Sequence, residues 1–474
     1  MIPMTLAEIA DVVGAVVHGD PALVVRGAAS LDSRSVPEAG LFVAIRGEHV
    51  DGHDYAEQAV AGGATAVLGG RPTGAPTLVT DDPAAALATL ARHVRGRLGA
   101  TVVGITGSQG KTGTKDYLAQ VLATAGPTVA TAGNFNNELG VPLTILRADA
   151  ATRFLVVEMG ARGSGHIAHL CDIARPDLGA VLNVGSAHAS EFGSVDDTAR
   201  AKGELLAALP ATGTAVVNAR DRRTRVGLAG AAVRRVLSFG ADHGDARLPD
   251  GSPVEPADVT WRGESYDDLG RPRTTLRYGD RTADLALRQI GAHQVDNAAA
   301  AAALALAAGL DLDEVATALN AATAQSRWRM EPLQRADGLV VLNDAYNANP
   351  ESMAAALDTL VHIKEVSGRR TVAVLGVMRE LGDDHEQQHH RVGRIAAQLG
   401  TDAVVVVGEE AAAIASGAAS VTSGAPTVVS VPDREHALAW LREETGPHDV
   451  VLVKASRAAG LEVLAEQLSE ESRA

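Results

Sequence analysis

Cysteine is nearly absent from this chain, because Cys171 is the only one among 474 residues. A single thiol excludes an internal disulfide framework and is typical of proteins from a reducing compartment. Aromatic residues are also scarce, at 3% of the sequence, while apolar residues reach 46%. The hydrophobic cores must therefore be built mainly from Ala, Val and Leu.

Basic residues are outnumbered, since Lys and Arg total 42, Asp and Glu total 58, and the net charge is -16 at pH 7. This balance argues against wrapping nucleic acid or binding an anionic membrane, although local basic or backbone sites still accept small anions. The most apolar stretch, residues 298–310, is too short to span a bilayer. Residues 1–11 carry no basic segment followed by an apolar run, so we expect no signal peptide and a cytoplasmic location.

Short apolar runs alternate with helical patterns along almost the whole chain. Such runs are typical of parallel strands that are buried on both faces, with helices between them, and they predict an α/β architecture that is repeated more than once. The length favours two to four domains. The clearest runs are residues 100–103, 154–157, 180–182, 214–217, 372–375, 403–407 and 450–453.

Two shifts in composition predict domain boundaries. A basic stretch at residues 92–97 precedes a glycine-rich loop, and residues 325–336 separate an Ala-rich helix from a new strand at 339–342. We therefore expect domains over residues 1–97, 98–330 and 331–474. Residues 238–284 are rich in Gly, Pro, Asp and Arg, which predicts a loop-and-hairpin insertion rather than a helix.

A phosphate-binding loop is predicted at residues 106–112, between a strand at 101–105 and a helix at 115–124. Glycines let backbone N–H groups converge on phosphate oxygens, the Lys111 ammonium adds a positive charge, and the Thr112 hydroxyl can reach Mg²⁺. The loop is a variant, because Ile105 stands where the common pattern has Gly. The alternative is an ordinary glycine-rich turn with a surface lysine. The residues expected to bind ATP are Gly107, Ser108, Gln109, Gly110, Lys111 and Thr112.

Three further ionisable residues are candidates for the chemistry. Glu158 and His188 each follow an apolar strand, which places them at the carboxyl edge of the sheet, where open α/β proteins bind ligands. Lys202 lies in a predicted helix that starts near residue 196. The alternatives are a capping or solvent-facing Glu158, an ordinary loop histidine, and a lysine on a solvated helix face.

Two other motifs are set aside. Residues 385–389 match the H-E-x-x-H pattern of zinc sites, but nothing obvious supplies a third ligand. Residues 163–168 imitate a dinucleotide fingerprint, but no acidic residue follows a second strand about 20 residues later, so a tight strand-to-helix turn is expected.

Taken together, these runs resemble the Mur ligase family over nearly the whole chain. The signal is specific because many separate motifs occur in order, and GNFNNELGVP and DAYNANP resemble the members that add D-alanyl-D-alanine. The matching segments are LDSRSV (31–36), GLFVAIRG (40–47), the loop at 106–112, GNFNNELGVP (133–142), EMGA (158–161), AKGE (201–204), GAHQ (291–294) and DAYNANP (344–350).

The resemblance implies a three-domain α/β protein. It implies a small N-terminal α/β domain for the UDP-sugar, a central P-loop ATPase domain with a mostly parallel sheet, and a C-terminal Rossmann-like domain for the amino substrate. The implied reaction joins D-alanyl-D-alanine to UDP-N-acetylmuramoyl-tripeptide with ATP and Mg²⁺, in peptidoglycan precursor synthesis. We expect a monomer with small-molecule substrates and no nucleic-acid partner or membrane insertion.

The resemblance also implies roles for individual residues. Ser33 and Arg34 would contact the UDP moiety, and Asn134 and Asn137 would face the sugar-linked peptide or the reaction centre. Asn297 would read the adenine. The residues that would hold Mg²⁺ are Thr112, Glu158, His188 and Lys202 as a carbamate, and those that would reach ATP from the third domain are Arg329 and Asp344.

Three other functions stay open at this point. One is a relative within the same class, which adds an earlier amino acid or acts on folate or a cyanophycin-type substrate. Another is a P-loop NTPase that uses hydrolysis to drive motion or regulation, although a UDP-sugar domain has no purpose there. The third is a non-catalytic nucleotide-sugar binding protein, against which the intact Lys111, Glu158 and Lys202 argue.

Overall fold

The computed structural model describes residues 1–47, 50–185, 194–242, 247, 253 and 255–470. Within these ranges the chain forms three α/β regions in sequence, each built on its own sheet, and a two-stranded ribbon at the N-terminus. This agrees with the expected architecture of a small N-terminal region, a central mostly parallel sheet and a C-terminal Rossmann-like sheet. No helix among the described residues has the length and apolar character needed to cross a bilayer.

The N-terminal region carries a five-stranded sheet of order β2-β7-β6-β5-β4, in which only β2 runs antiparallel to its neighbour. The strands β1 and β3 pair separately. The strands are β1 Met4–Thr5, β2 Val16–His18, β3 Val24–Val25, β4 Ala29–Ser30, β5 Gly40–Val43, β6 Ala64–Gly69 and β7 Thr77–Val79. The helices are Leu6–Val13, Ala56–Ala61, Pro83–Arg97 and the short 3₁₀ turn Gly52–Tyr55.

The helix Pro83–Arg97 joins the first region to the second. It begins where the Asp82 carboxylate accepts hydrogen bonds from the first free N–H groups and where Pro83, which has no N–H to lose, occupies the first turn. Its Leu and Ala side chains share one buried core with residues from both the N-terminal and the central region, among them Leu41 and Leu155. The two regions are therefore packed as neighbours and not only tethered.

The central region is a nine-stranded sheet of order β16-β15-β14-β13-β12-β11-β8-β10-β9. It is parallel from β9 to β14, and the hairpins β14–β15 and β15–β16 close one edge. The strands are β8 Thr101–Thr106, β9 Thr128–Ala130, β10 Phe154–Glu158, β11 Leu178–Val181, β12 Thr214–Asn218, β13 Arg235–Ala241, β14 Val259–Tyr266, β15 Pro272–Tyr278 and β16 Arg281–Ala286. The helices are Lys111–Ala123, Gly140–Ile145, His166–Ala174, Val195–Ala207, His293–Ala307, Leu312–Ala321 and the 3₁₀ turn Arg222–Leu228.

The Ala-rich helix His293–Ala307 lies against the sheet and against the helix Lys111–Ala123. Its residues 298–305 are all buried, and their small side chains allow a close approach of the backbones. The predicted hairpins within residues 238–284 are confirmed by β14, β15 and β16. Apolar side chains of these strands, such as Val259, Trp261 and Leu276, bury one face in the same core.

The C-terminal region is a six-stranded sheet of order β17-β18-β22-β19-β20-β21, parallel except for β17. Helices cover both faces and form two separate cores. The strands are β17 Glu331–Gln334, β18 Val340–Asn343, β19 Arg370–Leu375, β20 Ala403–Val407, β21 Thr427–Val431 and β22 Asp449–Lys454. The helices are Pro350–Ser367, His385–Gln398, Ala412–Ala419, Arg434–Glu444, Glu462–Glu470 and the 3₁₀ turns Gly382–Asp384, Glu409–Ala411 and Arg457–Ala459.

Candidate functional site

The glycine-rich loop follows β8 and leads directly into a helix. That helix begins at Lys111, four residues earlier than the sequence pattern predicted, so the predicted start at Lys115 is wrong. Gly110 has a φ of 78°, a left-handed conformation that glycine adopts without strain and that turns the chain straight into the helix. The free N–H groups of the first helical turn therefore lie at the end of the loop, the arrangement that binds phosphate elsewhere.

Asn183 holds the loop in place from the end of β11. Its Oδ1 accepts a hydrogen bond from the Gln109 N–H at 2.9 Å, and its Nδ2 donates to the Gln109 carbonyl at 3.1 Å. The Ser108 N–H donates to the Asn183 carbonyl at 3.1 Å. The sequence analysis missed Asn183, although its position directly after a buried strand at the same sheet edge is a signal that could have found it.

Lys111 folds back over its own loop. Its Nζ donates a hydrogen bond to the Gly107 carbonyl at 2.7 Å. Burial lowers the pKa of this amine, the negative charge of Glu158 opposes that shift, and the positive charge of Arg329 adds to it. The Lys111 head group is hydrogen-bonded to its own loop and the residue is half-buried, so the alternative of a solvated surface lysine does not describe it.

Glu158 ends β10, which pairs with β8 so that Glu158 lies beside Ile105, just before the loop. Only 1% of the residue is exposed, which excludes the solvent-facing alternative. The Asn136 Nδ2 donates to Glu158 Oε1 at 2.8 Å, while Oε2 is buried and has no hydrogen-bond partner in the described residues. A buried carboxylate oxygen without a partner is costly and is a position at which a bound cation would supply the missing interaction.

Lys202 is buried in the helix Val195–Ala207, with 3% of the residue exposed. The alternative of a lysine on a solvated helix face is therefore wrong. Burial, assisted by the positive charge of Lys111, lowers the pKa of Lys202 to about 7. A large fraction of this amine is neutral near physiological pH, and a neutral amine is a nucleophile.

His188 lies outside the described residues, so its predicted position at this edge stays a prediction. Among the residues that are described, no three His, Cys, Asp or Glu side chains come together as ligands for a metal ion. Glu158 and Lys202 as a carbamate would supply only two ligands, so they do not make a group of three. The expected magnesium site therefore needs His188 and a modified Lys202 in addition to the described Glu158 and Thr112.

Asn297 packs directly against the first turn of the loop helix. A Cβ atom at Gly113 would lie 2.7 Å from Asn297 Nδ2, and one at Gly110 would lie 2.5 Å from Asn297 Oδ1. Its Nδ2 also donates to Gln294 Oε1 at 3.2 Å. Both glycines are thus required by the close approach of the Asn297 side chain, which fixes that amide next to the loop.

The third region contributes Arg329, Tyr346 and Asp344 to the same place. The Arg329 guanidinium lies over the Tyr346 ring at 4.2 Å. Asp344 Oδ2 accepts a hydrogen bond from Lys454 Nζ at 2.6 Å, and the Asp344 Oδ1 accepts one from the Met330 N–H at 3.1 Å. Burial of the Tyr346 hydroxyl raises its pKa, the positive charge of Arg329 opposes that shift, and the negative charge of Glu158 adds to it. Tyr346 and Lys454 were not singled out from the sequence.

Family models match most of the chain. They are described as the Mur ligase family catalytic domain, over residues 28–95, the Mur ligase middle domain, over 105–305, and the Mur ligase glutamate ligase domain, over 328–457. A UDP-N-acetylmuramoyl-tripeptide–D-alanyl-D-alanine ligase from Mycobacterium tuberculosis is 44% identical and the alignment covers 99% of this chain and 98% of that one. The chain belongs to the Mur ligase family.

Other Mur ligases agree with this assignment. The ligase of the same description from Escherichia coli is 35% identical, with 99% of each chain covered. A crystal structure of MurF from Acinetobacter baumannii superposes with a TM-score of 0.84 at 30% identity over 99% of both chains. The MurF ligase from Thermotoga maritima, solved in complex with ADP, has a TM-score of 0.76 at 30% identity, covering 94% of this chain and 97% of that one.

The four residues of this Mur ligase that are expected to contact substrate lie in two regions, Ser33 and Arg34 in the N-terminal one and Asn134 and Asn137 in the central one. Ser33 Oγ donates to Gln58 Oε1 at 3.2 Å, and Arg34 is exposed and pairs with Asp32 at 2.8 Å, which lowers the pKa of that carboxyl to about 2. Asn134 is exposed. Asn137 Oδ1 accepts a hydrogen bond from the N–H of Gly140, the first residue of the helix Gly140–Ile145, at 2.9 Å.

Both motifs that were set aside have structural explanations in this Mur ligase. The N-terminus of helix His166–Ala174 is occupied by the Glu204 carboxylate, which accepts hydrogen bonds from the Gly165 N–H at 2.6 Å and the Ala168 N–H at 2.9 Å. His389 has both ring nitrogens engaged, by the Met378 N–H at 2.9 Å and the His385 carbonyl at 2.7 Å. Neither motif is arranged for a dinucleotide or for zinc.

Proposed function

We propose that this chain is an ATP-dependent, ADP-forming ligase that joins D-alanyl-D-alanine to UDP-N-acetylmuramoyl-tripeptide in peptidoglycan precursor synthesis, acting as a monomer in the cytoplasm. The observation that carries the proposal is the position of Glu158, with its partnerless buried oxygen, beside the strand that leads into the Lys111 loop. A phosphate loop, a carboxylate with a partnerless oxygen and a cation from another region are what phosphoryl transfer to a carboxylate requires. Family membership and the names of the relatives point to the same reaction.

The reaction needs an activated acid, because a carboxylate would have to expel oxide to accept an amine. In the first step a carboxylate oxygen of the tripeptide attacks the γ-phosphorus of ATP, and the bond from that phosphorus to the bridging oxygen of ADP breaks. In the second step the neutral amine of D-alanyl-D-alanine attacks the acyl phosphate carbon, inorganic phosphate leaves, and the nitrogen loses a proton. Lys111, Arg329 and the N–H groups that follow Gly110 stabilise the negative charge on the transferred phosphoryl group.

The described residues supply part of a magnesium site at this edge. The buried Glu158 Oε2 lacks a hydrogen-bond partner in the described part of the chain, and carboxylate oxygens are the ligands that Mg²⁺ prefers. The proposed ligands are Thr112, Glu158, His188 and Lys202 as a carbamate. When bound, the ion would offset charge on the phosphate oxygens. Asn136 keeps Glu158 in one orientation for this purpose.

The state of the Lys202 amine supports the proposed carbamate. With its pKa lowered to about 7, Lys202 is partly neutral in the cell, and a neutral amine adds to CO₂ with loss of a proton. The product is an anion with two oxygens. This replaces a buried cation beside Lys111 with a group that Lys111 and Mg²⁺ both attract.

The remaining proposed contacts divide among the domains. Residues 1–97 would bind the UDP-sugar, with Ser33 and Arg34 at the UDP moiety, and residues 331–474 would bind the dipeptide. Residues 98–330 would bind ATP, with Asn297 at the adenine. Asn134 and Asn137 would face the sugar-linked peptide, and Arg329 and Asp344 would reach ATP across the junction, so that binding of ATP draws the regions together.

The test is phosphate release by the purified full-length chain with a panel of UDP-muramoyl peptides and amino donors. We expect release to require both the tripeptide substrate and D-alanyl-D-alanine, with the coupled product detected by mass. Preference for a shorter UDP-muramoyl peptide with a single amino acid would favour a sibling ligase. Equal turnover with neither co-substrate would overturn the proposal in favour of a plain NTPase.

A further inference from the structure

The backbone on both sides of Arg329 is in an unusual conformation. Trp328 has a φ of 61° and Met330 a φ of 49°, so two large L-residues occupy the left-handed region within three positions. Such conformations are unfavourable for residues other than glycine and persist only where surrounding contacts hold them. An observed outlier of this kind, placed beside a residue of the proposed ATP site, indicates a functional constraint.

The Trp328 side chain is held from several directions. Its indole Nε1 donates to Glu466 Oε1 at 3.0 Å, and Glu466 also accepts from Arg327 Nη2 at 2.7 Å. The Arg457 guanidinium stacks on the indole ring at 3.8 Å. Arg457 is in turn paired with Glu462 at 2.6 Å. The indole is therefore fixed to the C-terminal helix Glu462–Glu470 and to the turn before it.

The main chain of the same segment is tied to the third region as well. The Tyr346 N–H donates to the Trp328 carbonyl at 3.2 Å, and the Trp328 N–H donates to Glu331 Oε2 at 2.9 Å. On the other side, the Met330 N–H donates to Asp344 Oδ1 at 3.1 Å. Arg329 thus lies between two residues whose backbones are both hydrogen-bonded to the third region.

Arg329 itself is directed into the site. Its guanidinium lies over Tyr346, its charge acts on Lys111, and its Nε is buried without a hydrogen-bond partner in the described residues. A half-buried guanidinium whose buried Nε donor is unused has the chemistry of an anion ligand. The orientation of this donor depends on the strained segment that carries it.

We propose that Trp328 is a positioning residue, and that its left-handed backbone and its anchored indole hold Arg329 toward the phosphate groups of ATP. The inference rests on the proposed function, because it takes Arg329 to contact ATP. It adds that the final helix of the chain, through Glu466, determines nucleotide affinity without touching nucleotide.

Calorimetric binding of a nonhydrolysable ATP analogue with Mg²⁺ to the full-length chain tests this directly. Trp328→Gly fits the left-handed backbone without strain, but it removes the indole and frees the segment, and both changes release the proposed hold on Arg329. We expect Trp328→Gly and Arg329→Ala each to weaken binding about 10-fold, and the double variant to bind no more weakly than Arg329→Ala alone. Trp328→Phe keeps an aromatic ring for Arg457 but loses the hydrogen bond to Glu466, so its affinity should fall between those of the parent chain and Trp328→Gly.

Two controls separate positioning from folding. Ala39→Gly relieves the same type of strain, at a φ of 54° in the N-terminal region, and should leave affinity unchanged. Trp328→Leu is the second variant if Trp328→Gly does not fold, and it should weaken binding in the same direction. Unfolding temperatures are measured for all variants, and in turnover assays the KM for ATP should rise while the KM for the UDP-muramoyl tripeptide stays the same.

The proposal is overturned if Trp328→Gly, or Trp328→Leu in its place, binds the analogue like the parent chain. It is also overturned if the losses from Trp328→Gly and Arg329→Ala multiply in the double variant, because independent effects multiply. Failure of the parent chain to couple the two substrates would instead count against the proposed ligase function. Analogue binding does not depend on that reaction, so the two failures are distinguishable.

Discussion

Asn136 fixes the orientation of Glu158, because its side-chain Nδ2 donates to Glu158 Oε1 at 2.8 Å and leaves the buried Oε2 without a partner in the described residues. The Asn136 carbonyl is held by the Gly160 N–H at 2.8 Å, and a Cβ at Gly160 would lie 2.8 Å from the Asn136 side chain. The amide is therefore confined on two sides. The arrangement presents one carboxylate oxygen as an unfilled ligand, which is the basis of the first prediction.

Asn136→Ala should weaken Mg²⁺ binding, because Glu158 loses the hydrogen bond that orients its carboxylate. We expect the Mg²⁺ concentration for half-maximal phosphate release to rise about 10- to 100-fold, the usual cost of losing a group that orients a metal ligand. Asn134→Ala is the matched control, since Asn134 is exposed two residues away. If Asn134 contacts the sugar-linked peptide, that control changes the KM for this substrate and not the Mg²⁺ requirement. An unchanged Mg²⁺ requirement in Asn136→Ala would contradict the proposed role of Glu158.

Gly113→Ala should disturb nucleotide binding through Asn297. The added methyl would lie 2.7 Å from Asn297 Nδ2, closer than carbon and nitrogen can approach, so the amide must move. We expect the KM for ATP to rise about 10-fold, from the loss of roughly 1.4 kcal/mol of oriented binding. Gly96→Ala, in the helix Pro83–Arg97 with no atom near the new methyl, should leave KM unchanged and stabilise the protein by about 0.5–1 kcal/mol. A parental KM for ATP in Gly113→Ala would remove Asn297 from the proposed adenine site.

Lys202 should make stability depend on pH in a defined window. Its folded-state pKa of about 7 lies below the pKa of an exposed lysine, so above pH 7 the unfolded chain binds more protons than the folded chain. The free energy of unfolding should therefore rise from about pH 7 to about pH 10, in CO₂-free buffer. Lys202→Met should flatten that rise, as measured by urea unfolding at a series of pH values. An identical pH profile in the variant would mean that burial does not lower this pKa.

Carbamylation of Lys202 gives a separate prediction. Adding bicarbonate should increase phosphate release by the parent chain, because the partly neutral amine adds CO₂. Lys202→Ala should abolish turnover, and a short carboxylic acid should restore part of it by supplying oxygens in the same space. Rescue by a short amine instead of an acid would show that the charge required is positive.

The buried pair Asp344–Lys454 should be important for the stability of the third region. Their side chains are 14% and 3% exposed, and the N–O distance is 2.6 Å. Lys454→Met would leave a buried carboxylate without its cation and should reduce the free energy of unfolding by about 3 kcal/mol. Adding Asp344→Asn should recover most of that loss, because the remaining amide is neutral. If the double variant is as unstable as Lys454→Met, the loss comes from packing and not from the charge.

Much of this molecule follows from local sequence patterns. The buried β-branched runs predicted the parallel strands, since a strand covered on both faces must be apolar throughout, and the observed β8, β10, β18, β20 and β22 agree. The glycines and Lys111 predicted the phosphate loop, because only those residue types let backbone and ammonium converge on an anion. The helix start at residue 115 was wrong, because the apolar periodicity begins later than the helix that Gly110 permits.

What the sequence determined by itself is therefore the kind of chemistry and the order of the elements, which depend on residue type and short spacing. The tertiary structure decided which side chains meet: Asn183 and the loop, Asn136 and Glu158, Tyr346 and Arg329, Lys454 and Asp344, and Glu466 and Trp328. These contacts join residues far apart in the chain, and a carboxamide or an indole carries no local mark of its partner. The burial that lowers the pKa of Lys202 likewise arises only when distant elements exclude water from its helix.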